Sequence, residues 1–96
     1  MGSVKPLPHR STPVFDEASL PDALRGEHST KAGVWGVIRV LEGRLRLRFA
    51  DPAAEQVLEP GKPGLCQPQQ VHHVTPLGPM RMQVDFYDAE PARDSS

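Results

Sequence analysis

The sequence predicts a small antiparallel all-β domain, either a barrel or a sandwich. About seven short runs with strand-like patterning follow one another, and turn residues separate them. Eleven prolines and eight glycines in 96 residues suit short strands that are joined by tight turns. Closing or doubling such a sheet would also remove the free edges that short strands expose.

The stretch 28–49 is the most informative part of the chain, and it predicts a β-hairpin. Glu42-Gly43 separates two alternating runs, and glycine at the second turn position supplies the positive φ of a two-residue turn. The predicted cross-strand pairs are Val40 with Leu45, Arg39 with Arg46, and Ile38 with Leu47. The predicted interior face carries Ile38, Val40, Leu45, Leu47 and Phe49, and the other face carries Arg39, Arg44, Arg46 and Arg48.

The residues before this hairpin predict an arm, a short edge strand and a helical turn. Residues 1–12 are polar and rich in proline, which is typical of a flexible arm. The edge strand is predicted at 13–15. One or two helical turns are predicted at 18–24, with Ser19 as the N-cap and Gly26 as the end.

The residues after the hairpin predict four more strands, at 56–58, 65–67, 71–74 and 80–87. The last of these alternates cleanly, with Met80, Met82, Val84 and Phe86 on one face. Turn-rich segments separate the strands, notably 60–64 and 76–79. Residues 89–96 are typical of a disordered tail, so the predicted folded domain spans 13–88.

Composition and charge exclude several classes of function. A net charge of −1 and five aromatic residues argue against nucleic-acid binding and against an anionic membrane surface. No apolar run approaches the roughly 20 residues of a membrane span, and the N-terminus lacks the apolar core of a secretory signal. The single cysteine, Cys66, fits a reducing cytoplasm and is interpreted as a small buried apolar residue. We therefore expect a cytoplasmic protein.

Three histidines are the candidates for a chemical site. His28 has the same strand parity as Ile38, which predicts that its imidazole points inward unless Gly33 resets the alternation. His72 and His73 are adjacent, so on a strand they point to opposite faces. Neutral imidazoles that converge can bind zinc, iron, nickel or copper. The alternative is that these histidines only form hydrogen bonds at strand ends.

The sequence resembles the TehB/YeaR-like small cupin domains of tellurite-resistance proteins. The resemblance covers residues 12–87 and rests on the runs TPVFDEASLPDAL, HSTKAGVWGVIRVLEGRLRL, PQQVHHV and MQVDFY. It implies a single cupin-type conical β-barrel or jelly roll with a pocket at its wider mouth, often holding a metal. The histidines of the two cupin motifs correspond to His28 and His72, which the resemblance implies as metal ligands.

The resemblance also leaves part of the site open. Ser29 and Thr30 follow His28 where ordinary cupins place a second histidine, and Thr75 stands where relatives often carry glutamate. Two protein ligands bind a divalent metal weakly unless water, a third side chain or an anion completes the shell. Lys31 is the candidate for attracting an anion, and Gln70 and His73 are candidates for supporting contacts.

These expectations leave three functions open. The first is a metal-binding module for a small polar or oxyanionic ligand, with a divalent transition metal such as zinc, iron or nickel. The second is a metal-dependent oxygenase or isomerase, for which no general base can be named. The third is a metal-free homodimeric interaction domain that uses the apolar streak Trp35, Val37 and Leu41.

Overall fold

The computed structural model describes residues 10–26 and 28–91, which form eight strands and one short helix. Most of the predicted arm and tail, residues 1–9 and 92–96, lies outside the described residues. The predicted all-β class with a single short helical turn is confirmed. The elements in chain order are β1 (Arg10–Ser11), β2 (Phe15–Asp16), α1 (Asp22–Arg25), β3 (Trp35–Glu42), β4 (Leu45–Ala50), β5 (Ala53–Leu58), β6 (Gly64–Cys66), β7 (His72–Pro76) and β8 (Arg81–Tyr87).

The strands form two antiparallel sheets. The larger sheet has the order β1-β8-β3-β6, and β2 also pairs with β8. The smaller sheet has the order β5-β4-β7. The inner faces of both sheets contribute to one apolar core, as expected for an antiparallel fold in which each sheet has one buried face. Its fully enclosed members are Leu45, Leu47, Leu58, Cys66, Val74 and Met82.

The predicted hairpin between β3 and β4 is wrong. β3 pairs with β8 and β6, whereas β4 pairs with β5 and β7, so the chain passes from one sheet to the other at Glu42-Gly43. Gly43 has the predicted positive φ, 75°, but it serves a corner between sheets. The predicted arginine face is therefore divided: Arg39 lies on the larger sheet and Arg46 and Arg48 lie on the smaller one.

The assignment of the inner faces is nevertheless correct for the core of these strands. Ile38, Val40, Leu45 and Leu47 are all buried, and Phe49 is half-buried. The alternation survives the change of partner because each strand still presents every second side chain to the same core. Along β8, Met82 and Val84 are buried as predicted.

The first residues of the fold differ from the sequence prediction. Arg10 and Ser11, assigned to the flexible arm, pair with Phe86 and Asp85 of β8. Two polar residues carry no alternation signal, so the sequence could not indicate this strand. Ser19 is not the N-cap of α1, because that position is held by Pro21.

The Ser19 hydroxyl takes part in a separate turn that precedes α1. It accepts a hydrogen bond from the Asp16 backbone N–H at 2.9 Å. The Asp16 carboxylate accepts bonds from the N–H groups of Ala18 and Ser19, each at 2.8 Å.

Across the described ranges, no helix has the length and apolar character to cross a membrane.

Candidate functional site

His28 and His72 lie side by side although they belong to distant parts of the chain. Their backbones form an antiparallel bridge with two reciprocal N–H to carbonyl hydrogen bonds, each 2.9 Å long. The centroids of their imidazole rings are 4.3 Å apart, and the ring planes are inclined by 57°. Through this bridge, His28 pairs with the first residue of β7, and the two imidazole rings lie next to each other. We call this arrangement the histidine pair.

The orientation of the His72 ring is set by a backbone carbonyl. His72 is only 3% exposed, and its Nδ1 lies 2.8 Å from the carbonyl oxygen of Gln70. Because a carbonyl oxygen can only accept, a neutral His72 carries its proton on Nδ1 and donates it to Gln70. Nε2 then keeps its lone pair. A carbonyl that fixes the opposite nitrogen is a common second partner of metal-binding histidines.

His28 contributes a nitrogen that is enclosed and unpaired. Its Nε2 is buried and has no hydrogen-bond partner among the described residues. Leaving such a group unpaired costs about 1–3 kcal/mol in a folded protein. A hydrogen-bonding group or a metal ion would supply the partner that this nitrogen lacks among the described residues.

Burial favours the neutral form of both rings. It lowers the pKa of His28, and the neighbouring His72 lowers it further. Burial also lowers the pKa of His72, an effect that the hydrogen bond to Gln70 partly opposes and that the nearby His73 reinforces. The neutral imidazole is the form that binds a metal, so proton competition for these nitrogens is weak at neutral pH.

The remaining predicted site residues lie around the pair in different ways. Gln70 holds His72 through its backbone carbonyl, and its side-chain Oε1 accepts a bond from the Gln67 N–H at 3.1 Å. Lys31 is exposed at the wall of a hollow that His28 also lines. His73 points to the opposite face of β7, where it lines a separate shallow hollow with Arg48 and Glu55. The structure thus brings Gln70 and Lys31 near the pair and places His73 elsewhere.

The hollow beside His28, which we call the basic hollow, carries two basic and two hydroxyl side chains beside an apolar part formed by Leu24, Val34 and Phe86. Its volume is about 530 Å³. Arg10, Lys31, Ser29 and Thr30 line it, and no carboxylate does so among the residues that the structure describes. The Arg10 guanidinium lies over the Phe86 ring, 4.7 Å from its centroid, in a cation–π contact. Sequence reasoning missed Arg10 because it belongs to the two-residue strand β1.

The residues of the pair fit a metal ion by the chemistry of their donors. They offer two neutral imidazoles, one oriented by a carbonyl and one with a buried nitrogen that lacks a partner. In residues 10–26 and 28–91, no group of three or more His, Cys, Asp or Glu side chains could hold a metal. A metal bound at the pair would have two protein ligands, and its other coordination positions would fall to water or to a bound molecule.

Comparison with known proteins gives a family match over most of the chain. The TehB-like domain matches residues 10–84. The chain is 31% identical over 74 residues to a protein from Haemophilus influenzae described as "Probable S-adenosyl-L-methionine-dependent methyltransferase TehB". This match covers 72% of the chain but 26% of the relative, so the chain spans about a quarter of that protein's length.

Solved structures show the same fold. TehB from Haemophilus influenzae superposes with a TM-score of 0.78 at 27% identity, covering 86% of this chain and 31% of that one. A protein from E. coli strain K12 superposes with a TM-score of 0.77 at 20% identity, covering 94% and 99%. The structure described as FeII HppE superposes with a TM-score of 0.60 at 20% identity, covering 77% and 40%.

These comparisons confirm the resemblance that the sequence motifs predict. The two antiparallel sheets and the neighbouring structures agree with a cupin-type β-barrel. The family match covers both histidines of the pair and the strands that position them. The chain belongs to the TehB-like domain family.

Proposed function

We propose that this domain is a binding module in which His28 and His72 hold a divalent transition metal and the adjoining basic hollow binds a small oxyanion. The observation that carries the proposal is the buried Nε2 of His28, which has no partner among the described residues and lies in a ring packed against a second neutral imidazole. A bound metal would give this nitrogen a partner and would supply positive charge and open positions for an oxygen ligand.

The chain's own residues support the metal part of the proposal through orientation and protonation. Gln70 selects the tautomer of His72 in which Nε2 keeps its lone pair. Burial lowers the pKa of both rings and so limits proton competition. The two backbone hydrogen bonds of the bridge hold the backbones of His28 and His72 side by side before any ligand arrives. Preorganisation of this kind lowers the entropic cost of binding.

The charge of the hollow supports the anion part. Arg10 and Lys31 bring two positive charges to its wall, and the hydroxyl of Ser29 is a further potential donor. Thr30 contributes less, since its hydroxyl already donates to the Val34 carbonyl oxygen at 2.7 Å. An oxyanion next to His28 would lie within reach of both the cations and a metal on the histidine pair.

The choice of ions to test follows from ligand chemistry and from one structural neighbour. Imidazole suits zinc, nickel and iron. HppE is described with iron(II) and shares the fold with this chain, so iron belongs in the test set beside zinc and nickel.

The experiment is metal analysis of the full chain purified without a histidine tag. Wild type and His73→Ala are compared with His28→Ala and His72→Ala after loading with each ion and dialysis. His73→Ala is the matched control, because it removes an imidazole next to His72 but on the opposite face of β7. We expect about one equivalent of metal in wild type and His73→Ala, and a large loss in the other two.

One further measurement and one further variant distinguish loss of the metal site from loss of the fold. Urea unfolding of each variant separates loss of metal from loss of fold, and His72→Gln replaces His72→Ala where the alanine variant is unstable. Equal metal content in all four proteins, or none in any folded protein, would contradict the metal assignment. Metal with oxygen consumption would instead favour an oxygenase.

The anion part is tested on metal-loaded protein with tellurite and phosphate as probes. Lys31→Ala should weaken anion binding several-fold, and added salt should reduce the difference, because the attraction is electrostatic. Lys62→Ala is the control, since Lys62 is exposed beside Glu59 and outside the hollow. Equal weakening in both lysine variants would argue against a specific site.

A further inference from the structure

A second cavity, distinct from the basic hollow, lies beside β6. Its volume is about 720 Å³, within the range of small-molecule sites. β6 and β5 are edge strands of the two sheets, and both contribute to its wall. We call it the glutamine cleft, because three carboxamide side chains line it together with apolar groups: Gln56, Gln67, Gln70, Phe49, Leu65 and Val37.

The lining of the glutamine cleft is uncharged. Among the described residues, no Asp, Glu, Lys, Arg or His side chain contributes to it. A charged ligand would lose hydration there without gaining an opposite charge. The carboxamides of Gln56 and Gln67, by contrast, each offer both a donor and an acceptor to a neutral polar group. Gln70 offers its amide donor, because its Oε1 already accepts from the Gln67 N–H. Phe49 and Leu65 add an apolar surface on which a ring can pack.

One wall of the cleft is a constrained turn. The Gln70 N–H donates to the Gln67 carbonyl at 3.2 Å, and Pro68 and Gln69 occupy the corner. Gln69 has a φ of 61°, which is uncommon for a residue other than glycine. The Gln69 N–H also donates to the Thr30 carbonyl at 3.2 Å. The turn thus holds two of the three carboxamide residues in a fixed relationship, and such strained positions cluster at binding sites.

We propose that the glutamine cleft binds an uncharged, ring-shaped small molecule that carries both hydrogen-bond donors and acceptors. This site is separate from the proposed anion site. It should prefer uncharged ligands, whereas the anion site should prefer negatively charged ones. It is nevertheless next to the histidine pair: Gln70 lines the cleft and bonds His72, and the Phe49 ring centroid is 6.3 Å from that of His72.

The test is an NMR titration of the metal-free full chain with two pairs of probes. Nicotinamide and uracil are neutral rings with amide groups, and nicotinate and orotate are their carboxylate counterparts of similar shape. We expect the neutral probes to shift backbone amide signals of the non-proline residues in 61–70 and the carboxylates to leave them unchanged. The use of metal-free protein makes the outcome independent of the proposed metal site.

Variants locate the binding within the cleft. Gln56→Ala and Gln67→Ala remove carboxamides from the lining and should each weaken binding of the neutral probes by about tenfold. Gln69→Asn is the matched control, because it changes a glutamine in the same turn that does not line the cleft and because asparagine tolerates a positive φ. Absence of cleft shifts with both neutral probes, or equal shifts with the carboxylates, would overturn the proposal.

Discussion

Arg39 holds the buried carboxylate of Asp85 through two hydrogen bonds on the outer face of the larger sheet. The Arg39 Nε donates to Oδ2 at 2.6 Å and its Nη2 donates to Oδ1 at 3.2 Å. Ser11 of β1 donates to the same Oδ1 at 2.7 Å. Burial alone raises the pKa of the Asp85 carboxyl, but the bonds from Arg39 and Ser11 outweigh it and the net pKa is lowered. Through these hydrogen bonds, Asp85 of β8 is connected to Arg39 of β3 and to Ser11 of the short β1.

Removing Arg39 should destabilise the fold more than removing an arginine from an exposed pair. Arg39→Ala leaves the Asp85 carboxylate, which is 5% exposed, without its main partner, and should lower the free energy of unfolding by about 1–3 kcal/mol. Arg48→Ala is the control, because Arg48 and Glu55 form an exposed pair at 2.7 Å and such pairs contribute about 0–1 kcal/mol. Urea unfolding measures both. Equal losses of unfolding free energy in the two variants would show that the burial of Asp85 does not increase the cost of removing its partner.

The strand pattern could be predicted from the sequence, but the strand partners could not. Alternation in β3 and β4 reports which side chains face a core, and both strands have that core in common. The alternation does not indicate which strand pairs with β3 or with β4. Except for β5, which follows β4 directly after Asp51-Pro52, the partners of β3 and β4 are distant in sequence, as in the pairing of Val40 with Met82 and of Leu47 with Val74. Glu42-Gly43 suits a tight hairpin and a corner between sheets equally well.

Gly43 should be intolerant of any side chain, for two reasons. Its φ of 75° is strained in other residues, and a Cβ there would overlap the Pro79 carbonyl oxygen and approach the Met80 Cα to 2.9 Å. Gly61→Ala is the matched control, because Gly61 has a φ of 87° with nothing within 4 Å of a Cβ. Gly61→Ala should cost about 1–2 kcal/mol from the backbone alone. Gly43→Ala should cost about 1–3 kcal/mol more.

Thermal or urea unfolding of the two glycine variants separates these effects. A loss in Gly43→Ala no larger than that in Gly61→Ala would mean that the corner relaxes away from Pro79 and that close packing does not require glycine there.

The histidine pair should make stability depend on pH near neutrality. The folded pKa values of His28 and His72 lie below their ordinary value of 6.5, so in the acidic range below 6.5 the unfolded chain binds more protons than the folded one. Stability then rises with pH through this window and falls as the pH drops below about 6.5. Urea unfolding between pH 5 and pH 7 should show this slope.

Variants test whether the histidine pair causes this pH dependence of stability. His72→Leu should flatten it, because one of the two buried imidazoles is gone, while His73→Ala should keep it. The measurements are made on metal-free protein, since a bound metal would itself stabilise the fold above this range. A slope that is the same in His72→Leu and wild type would assign the dependence to other groups.

The candidate site was only partly accessible from sequence. The motif histidines could be named through the family resemblance, and strand parity favoured an inward His28. Two features depend on contacts that no local pattern encodes. Arg10 reaches the hollow because β1 pairs with β8. The glutamine cleft forms where the edges of two sheets meet, so its lining comes from five separate segments, including Val37, Phe49, Gln56 and Leu65.

Cys66 should behave as an inert core thiol in the folded protein. It is 1% exposed, and burial raises its pKa to about 12. Compared with an ordinary thiol of pKa 9.0, this lowers the thiolate fraction at pH 8 by about a thousandfold, and the thiolate is the reactive form. Iodoacetamide should therefore label the native protein very slowly and the urea-unfolded protein readily.

The positive control is Ala32→Cys in a Cys66→Ala background, since Ala32 is exposed in a turn. If native Cys66 reacted as fast as the thiol introduced at position 32, the core around β6 would have to open frequently, and the interpretation of Cys66 as an enclosed apolar residue would be wrong.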